Sequence, residues 1–287
     1  MCSSDLPGGV YSQIVDTLVE REALQDGSYR VVALQPDAET VALPESATTI
    51  VTVGTGAARA VYRQQPSARV LSALITNSGF SYLATIHYGS IDQAHRRGVS
   101  AVLLDQPAQR LYRLGRLLLP DARHIGVLSG EPAAHAAELN SVTDTNGDAH
   151  IEQVVLTADI RPIGALGPVI KRSDFVIALP GKELINASAA RWILQLGSKL
   201  RTPVIAYSRK YTTSGALASV YTSAGHVARE ISDILRAIKE DPALPEQNYP
   251  PRQFSVSLNS RVAQALGLTL EDAEYYRREL QRLEGLE

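Results

Sequence analysis

"SDFVIALPGKELINASAARWILQLGSKLRTPVIAYSRK", residues 173–210, decides the fold. Residues 174–179 form an apolar run without alternation, too short for a helix, and read as a strand covered on both faces. Pro180-Gly181 stops it. Residues 187–200 carry apolar side chains at three-and-four spacing, with the chain's one tryptophan, Trp192, among them, and read as a helix. Residues 203–207 return to a short apolar strand. Strand, helix and strand in this order make a β-α-β unit, whose crossover sets its two strands parallel.

The same alternation extends both ways. Upstream, helical spacing over 10–23 places Ile14, Val15, Leu18 and Val19 on one face. Runs at 29–34, 48–53, 69–75 and 100–104 read as strands, and the second leads through Gly54-Thr55-Gly56 into a helix-like segment. A helix spans 108–119, with Leu111, Leu114 and Leu118 on one face and Pro120 as its stop. Strands at 124–128 and 150–156 and helices at 131–140 and 160–171 follow. Downstream come a strand (215–221), a helix (223–239), a proline-rich extended connection (241–251), a last strand (253–258) and two terminal helices (260–266, 270–286). About ten short strands are more than one ordinary sheet holds, so the fold class is α/β with two doubly wound parallel sheets. A β-α-β series opens with a strand, whereas here a helix follows "CSSDLPGG" directly. The missing strand lies either upstream of this chain or at 2–6.

Composition narrows the function. Lys plus Arg is 28 against 30 Asp plus Glu in 287 residues, a net charge of -2, which gives no electrostatic case for nucleic acid. No apolar run reaches membrane-spanning length. One cysteine, Cys2, rules out a disulfide framework, and the six histidines lack zinc-ligand spacing, so no metal and no cofactor is expected. Cys2 reads either as a surface thiol or as a lipid anchor exposed after removal of a leader.

In open parallel sheets, ligands bind beyond the carboxyl ends of the strands. Those ends carry Gly54-Thr55-Gly56, Thr76-Asn77, Asp105-Gln106, Ser129, Gly181-Lys182 and the hydroxyl-rich segment holding Tyr207, Ser208, Arg209, Tyr211 and Ser214. Gly54-Thr55-Gly56 opens a helix, so its backbone N–H groups could hold a carboxylate. It is not a dinucleotide fingerprint, because Arg59 stands at the third glycine position, and no Gly-Lys-Ser/Thr follows. No nucleophile elbow is present, and Asp105 is the one carboxylate at a strand end, so a paired-carboxylate mechanism lacks its second member. A non-enzyme is expected. Trp192, Tyr82, Tyr88, Tyr275 and Tyr276 read as packing residues.

Four stretches together, "SAVLLDQPAQRLYRLGRLLLPDARHIGVLSG" (100–130), "SDFVIALPGKELINASAARWIL" (173–194), "TPVIAYSRKYTTSGALASVYTSAGHVAREISDIL" (202–235) and "FSVSLNSRVAQALGL" (254–268), resemble substrate-binding proteins of ABC transporters, in the branch with tryptophan- and tyrosine-binding members. The resemblance implies the type I periplasmic-binding-protein fold, with a small molecule held in a cleft between two lobes. Lobe 1 would take 1–106 and 212–248, and lobe 2 would take 107–211 and 249–287, with three hinge crossings near 106–107, 211–214 and 249–252. It implies a small-molecule ligand, a membrane permease as partner and a periplasmic or extracellular, membrane-associated place; a cytoplasmic place stays open. Two departures stand out. Relatives often carry an acidic residue where this chain has Gly181-Lys182, which takes a partner from an α-amino group. "TNSGFSYLATIHYGSIDQAHRRG" (76–98) is more polar and aromatic than the family pattern. The expected function is capture of a small polar or aromatic, amino-acid-like solute by hinge closure. The alternatives are a ligand sensor of the same fold and, less favoured, an α/β enzyme.

Overall fold

The structure, a computed structural model, describes residues 9–20, 29–32, 40–130, 149–156, 162–180 and 187–286. Two compact units divide the chain: Met1–Asp105 with Thr222–Gln253, and Gln106–Tyr221 with Phe254–Glu287.

The first unit holds a four-stranded parallel sheet, ordered β1 (Thr49–Val53), β2 (Arg69–Ile75), β3 (Val99–Leu103), β9 (Asn248–Tyr249). One face is covered by α2 (Thr55–Tyr62), α3 (Asn77–Tyr88) and α4 (Ile91–Arg96), whose Ala58, Tyr62, Phe80, Leu83 and Ala94 pack on Val70, Ile75 and Val99. The other face carries α1 (Val10–Glu20) and α9 (Ala224–Glu240). Ile14 and Leu18 from α1 meet Val227 and Ile231 from α9 over Val53, Leu71 and Val102. Both faces are covered, which is why the strands are mostly apolar, and among the buried exceptions Thr52 and Ser72 bond each other at 2.8 Å.

The second unit holds a six-stranded sheet ordered β10 (Ser255–Leu258), β8 (Ala218–Tyr221), β7 (Val204–Ala206), β6 (Phe175–Ala178), β4 (His124–Ser129), β5 (His150–Val155). All neighbours are parallel except β10, which runs antiparallel to β8 with Ser255 opposite Tyr221. One face packs on α5 (Ala108–Leu118), α10 (Ser260–Leu266) and α11 (Ala273–Glu284) through Leu111, Leu114, Phe254, Tyr276 and Leu280. The opposite face packs on α6 (Pro162–Arg172) and α7 (Ala187–Leu200) through Leu166, Ile170 and Ile193.

Several sequence expectations change. Residues 29–32 form no strand, and 33–34, 2–6 and 131–140 lie outside the described residues. The polar passage 76–98 folds into α3 and α4, where Tyr62 and Tyr88 make an edge contact at 5.5 Å and Phe80 stacks on His95 at 6.0 Å. The extended connection 241–251 contributes β9, which completes the first sheet beside β3. The second passage between units follows Tyr221, not 211–214, because β8 is bonded to β7 on one side and β10 on the other. The third follows Gln253, since Phe254 belongs to the second core. Trp192 is 41% exposed and Tyr82 65%, so neither is a packing residue, while Tyr276 is buried and Tyr275 is not.

Candidate functional site

In the first unit, β1, β2 and β3 are consecutive neighbours, so their carboxyl ends bring Gly54, Thr76 and Asp105 to one edge. Each segment is shaped to be there. Gly54 has φ +95°, a conformation that costs glycine nothing, and it turns the chain from β1 into α2 while its N–H bonds Ala73 O at 2.8 Å. β2 ends in a bulge: the pairing with β3 shifts between Ser72 and Ile75, and Leu74 takes φ +52°. Bulges re-aim the residues that follow them. Here those are Thr76, whose Oγ1 accepts from the Gly79 N–H at 3.1 Å as the cap of α3, and Asn77, whose N–H donates to Asp105 Oδ2 at 2.5 Å.

The two helix starts at this edge are treated differently. The α3 start already carries the Asp105 carboxylate, a negative charge at the positive end of a helix dipole. The α2 start, at Thr55-Gly56, has no side-chain cap. An anion can therefore be received at α2, with a carboxylate held beside it at α3. That pairing suits a zwitterion. The ring of Tyr11, from the first turn of α1, lies over Gly54, so close that a Cβ on Gly54 would sit 2.8 Å from its Cε1. Sequence reasoning missed Tyr11. The signal available was an aromatic residue in the first turn of a helix that must cross the Gly54 turn.

The expected residues of the second unit divide. Ser129 ends β4 fully buried, its carbonyl accepting from the Leu156 N–H at 2.8 Å. Gln106 is 2% exposed and its Oε1 accepts from Arg110 Nη1 at 2.8 Å, which turns it into the unit's interior. Residues 207–214, read from sequence as a loop, contain the short helix α8 (Arg209–Thr213), and Leu217 N–H returns to Val204 O at 2.9 Å. The segment is thus the β7-to-β8 crossover. Tyr207 and Tyr211 have ring centroids 5.3 Å apart, and burial pushes both phenols up, so they remain neutral hydrogen-bonding groups. Tyr207, Ser208, Tyr211 and Ser214 line a groove beside α7, whereas Arg209 is exposed and does not line it. Gly181 and Lys182 lie outside the described residues. Among the described residues no cluster of His, Cys, Asp and Glu could hold a metal, and no helix is long and apolar enough to cross a membrane.

A substrate-binding protein with adhesive properties from Clostridium difficile, in its ligand-free, open structure, superposes with a TM-score of 0.67 at 13% identity over 94% of both chains. The ABC domain from Streptococcus pneumonia in complex with L-Trp gives 0.58 at 16% identity, over 94% of this chain and 93% of that one. The chain has the type I periplasmic-binding-protein fold. A conserved domain protein from Vibrio cholerae shares it, with a TM-score of 0.58 at 17% identity over 92% of both chains. No protein-family model matches the sequence, and neither does any curated protein. The periplasmic-binding-protein fold is shared here at 13–17% identity.

Proposed function

We propose that this chain is the solute-binding component of an ABC-type transport system and captures a small polar or aromatic, amino-acid-like molecule. The observation that carries the reading is the edge of the first sheet, where the uncapped α2 start, the Asp105 carboxylate and the Tyr11 ring converge. In this reading the ligand's carboxylate meets the N–H groups of Thr55 and Gly56, and its ammonium meets Asp105, which supplies the acidic partner that Lys182 cannot. Gly54, Thr76 and Asn77 shape that edge, and Tyr207, Ser208, Tyr211 and Ser214 are the candidates on the second unit, with Gly181 and Lys182 kept from the sequence, whereas Ser129 and Gln106 are buried and Arg209 lies off the groove. Ligand contacts from both units favour a closed state, and a membrane permease reads it. Cys2 would then anchor the protein to a membrane outside the cytoplasm. Proteins of like fold whose names record L-Trp or substrate binding support a binding role over catalysis.

The test is a thermal-shift panel of aromatic and other amino acids, aromatic acids and small amides, run beside native mass spectrometry. A ligand at a hundredfold excess over its dissociation constant adds about 2.7 kcal/mol of stability. A shift for one class, lost in Asp105→Asn, supports the reading. A panel without a shift rejects an amino-acid-like ligand, and X-ray scattering unchanged by a saturating ligand rejects closure.

A further inference from the structure

A second surface of the second unit has its own chemistry. Between α7, α8 and α10 runs an open groove of about 1370 Å³. Arg191, Lys199, Arg201, Lys210 and Arg261 line it, and among the described residues no carboxylate does. All five are exposed, and among the described residues none pairs with an acidic side chain; the bond from Arg201 Nη2 to Ala265 O, at 2.9 Å, leaves that cation uncompensated. This concentration occurs in a chain whose net charge is -2. Elsewhere arginines such as Arg172, Arg110 and Arg282 pair with Glu152, Glu284 and Glu279.

The floor is apolar. Leu194 from α7 and Val262 and Leu266 from α10 face the groove, joined by Tyr207 at one end. Arg191 and Lys199 lie about 12 Å apart along α7, so the cations bracket about two turns of an opposing helix. A nucleic-acid backbone has no use for an aliphatic floor, and a bilayer surface would be met by a convex basic face rather than a concave one. An amphipathic helix with carboxylates flanking an aliphatic stripe satisfies both the floor and the rim.

We propose that this groove docks an acidic amphipathic helix of a partner protein. The apolar stripe of that helix seats on Leu194, Val262 and Leu266, and its carboxylates pair with the five rim cations. The groove shares Tyr207, Ser208, Tyr211 and Ser214 with the ligand candidates of the second unit, but none of Gly54, Thr76, Asn77 and Asp105 lines it, and neither Arg191 nor Lys199 is a ligand candidate.

The test uses the full chain and a labelled helical peptide of about 14 residues, with leucines on one face and glutamates on the flanks. Fluorescence anisotropy compares it with a scrambled peptide of the same composition, a single-stranded DNA oligomer and phosphatidylglycerol vesicles. The expected result is saturable binding of the amphipathic peptide, at least about fivefold tighter than the scrambled one and weakened by salt. The double variant Arg191→Glu, Lys199→Glu is expected to lower affinity about tenfold with an unchanged thermal midpoint. Should that variant misfold, Lys210→Gln with Arg261→Gln serves, since both side chains are solvated. Equal binding of the scrambled peptide, tighter binding of DNA or vesicles, an affinity insensitive to the charge variants, or no binding of the amphipathic peptide would each overturn the proposal.

Discussion

Gly54 carries two constraints at once. Its φ of +95° strains ordinary side chains, and a Cβ there would meet the Tyr11 ring at 2.8 Å. Gly54→Ala is therefore expected to cost about 1–3 kcal/mol in denaturant unfolding. Part of the loss should be recovered in the Gly54→Ala, Tyr11→Ala pair, and strictly additive losses would remove the ring contact as a cause. Glu230 gives a pH-dependent counterpart. It is 6% exposed on α9 and accepts from the Gln253 N–H at 3.3 Å. Burial raises its pKa from 4.5, outweighing the backbone N–H groups of Gln253 and Arg252, which lower it. The folded protein thus holds this proton more tightly than the unfolded chain does. The associated stability is complete below the unfolded value and is lost as pH rises through the folded one. Glu230→Gln should be more stable than the parent at neutral pH, with the gap closing near about pH 4. Urea midpoints of both proteins at the two pH values decide it; a gap that persists in acid is not due to charge. The sequence marked Gly54 as a strand end but not the ring packed on it, and it marked nothing at Glu230, since neither a glycine after a strand nor a glutamate in a helix shows what packs on it.

At the scale of elements, two side chains hold the second unit's late helices to its sheet. Asn259 caps α10 by accepting from the Val262 N–H at 3.2 Å, and its amide donates to Thr212 O on α8 at 2.8 Å. Asn259→Ala loses both, and about 1–3 kcal/mol is expected, read by chemical denaturation. Asn259→Asp keeps the cap alone and should lose less. Arg110 on α5 is buried, bonded to Glu284 of α11 at 2.5–3.0 Å and stacked 4.0 Å over the Phe254 ring. Glu284→Gln leaves that guanidinium without its charge partner and is expected to cost about 3 kcal/mol. A wild-type midpoint would mean that the pair is solvated. Helices such as α5 and α7 were legible because burial of one face writes a period into the sequence, and β2 because burial of both faces writes an apolar run. α3 and α4 were not: their buried faces use Phe80, Leu83, Ala84 and Ala94 with half-buried Tyr88 and His95 beside them, and polar residues fill the spaces between. α8 was hidden for another reason. Five residues are too few to show a helical period.

Over the whole molecule, neither unit is a continuous segment. The first sheet needs β9 from after residue 221, and the second needs β10 from after residue 253. A fragment spanning 106–221 would lack Phe254, Val256, Tyr276 and Leu280, all of which sit in its core. Such a fragment is expected to show no cooperative unfolding transition, and a sharp transition by circular dichroism would refute that dependence. The candidate edge has the same discontinuous origin, since Tyr11, Gly54, Thr76 and Asp105 come from four separate elements.

Sequence alone determined the α/β class, two sheets, most strand positions and the Gly54, Thr76 and Asp105 strand ends, because covering a parallel sheet on both faces demands short apolar runs separated by helices. It did not determine where the chain changes units. An apolar strand reads the same whichever sheet it joins, so 215–221, expected in lobe 1, belongs instead to the second sheet, where β8 is bonded between β7 and β10. Nor could it tell a strand-end polar group that stays at the edge from one drawn inward. Gln106 turns to Arg110 and Asn77 to Asp105, and each choice depends on a partner far away in sequence or buried behind it. Local pattern records burial, which each residue pays individually; pairing is a property of two residues, and only the tertiary structure brings them together.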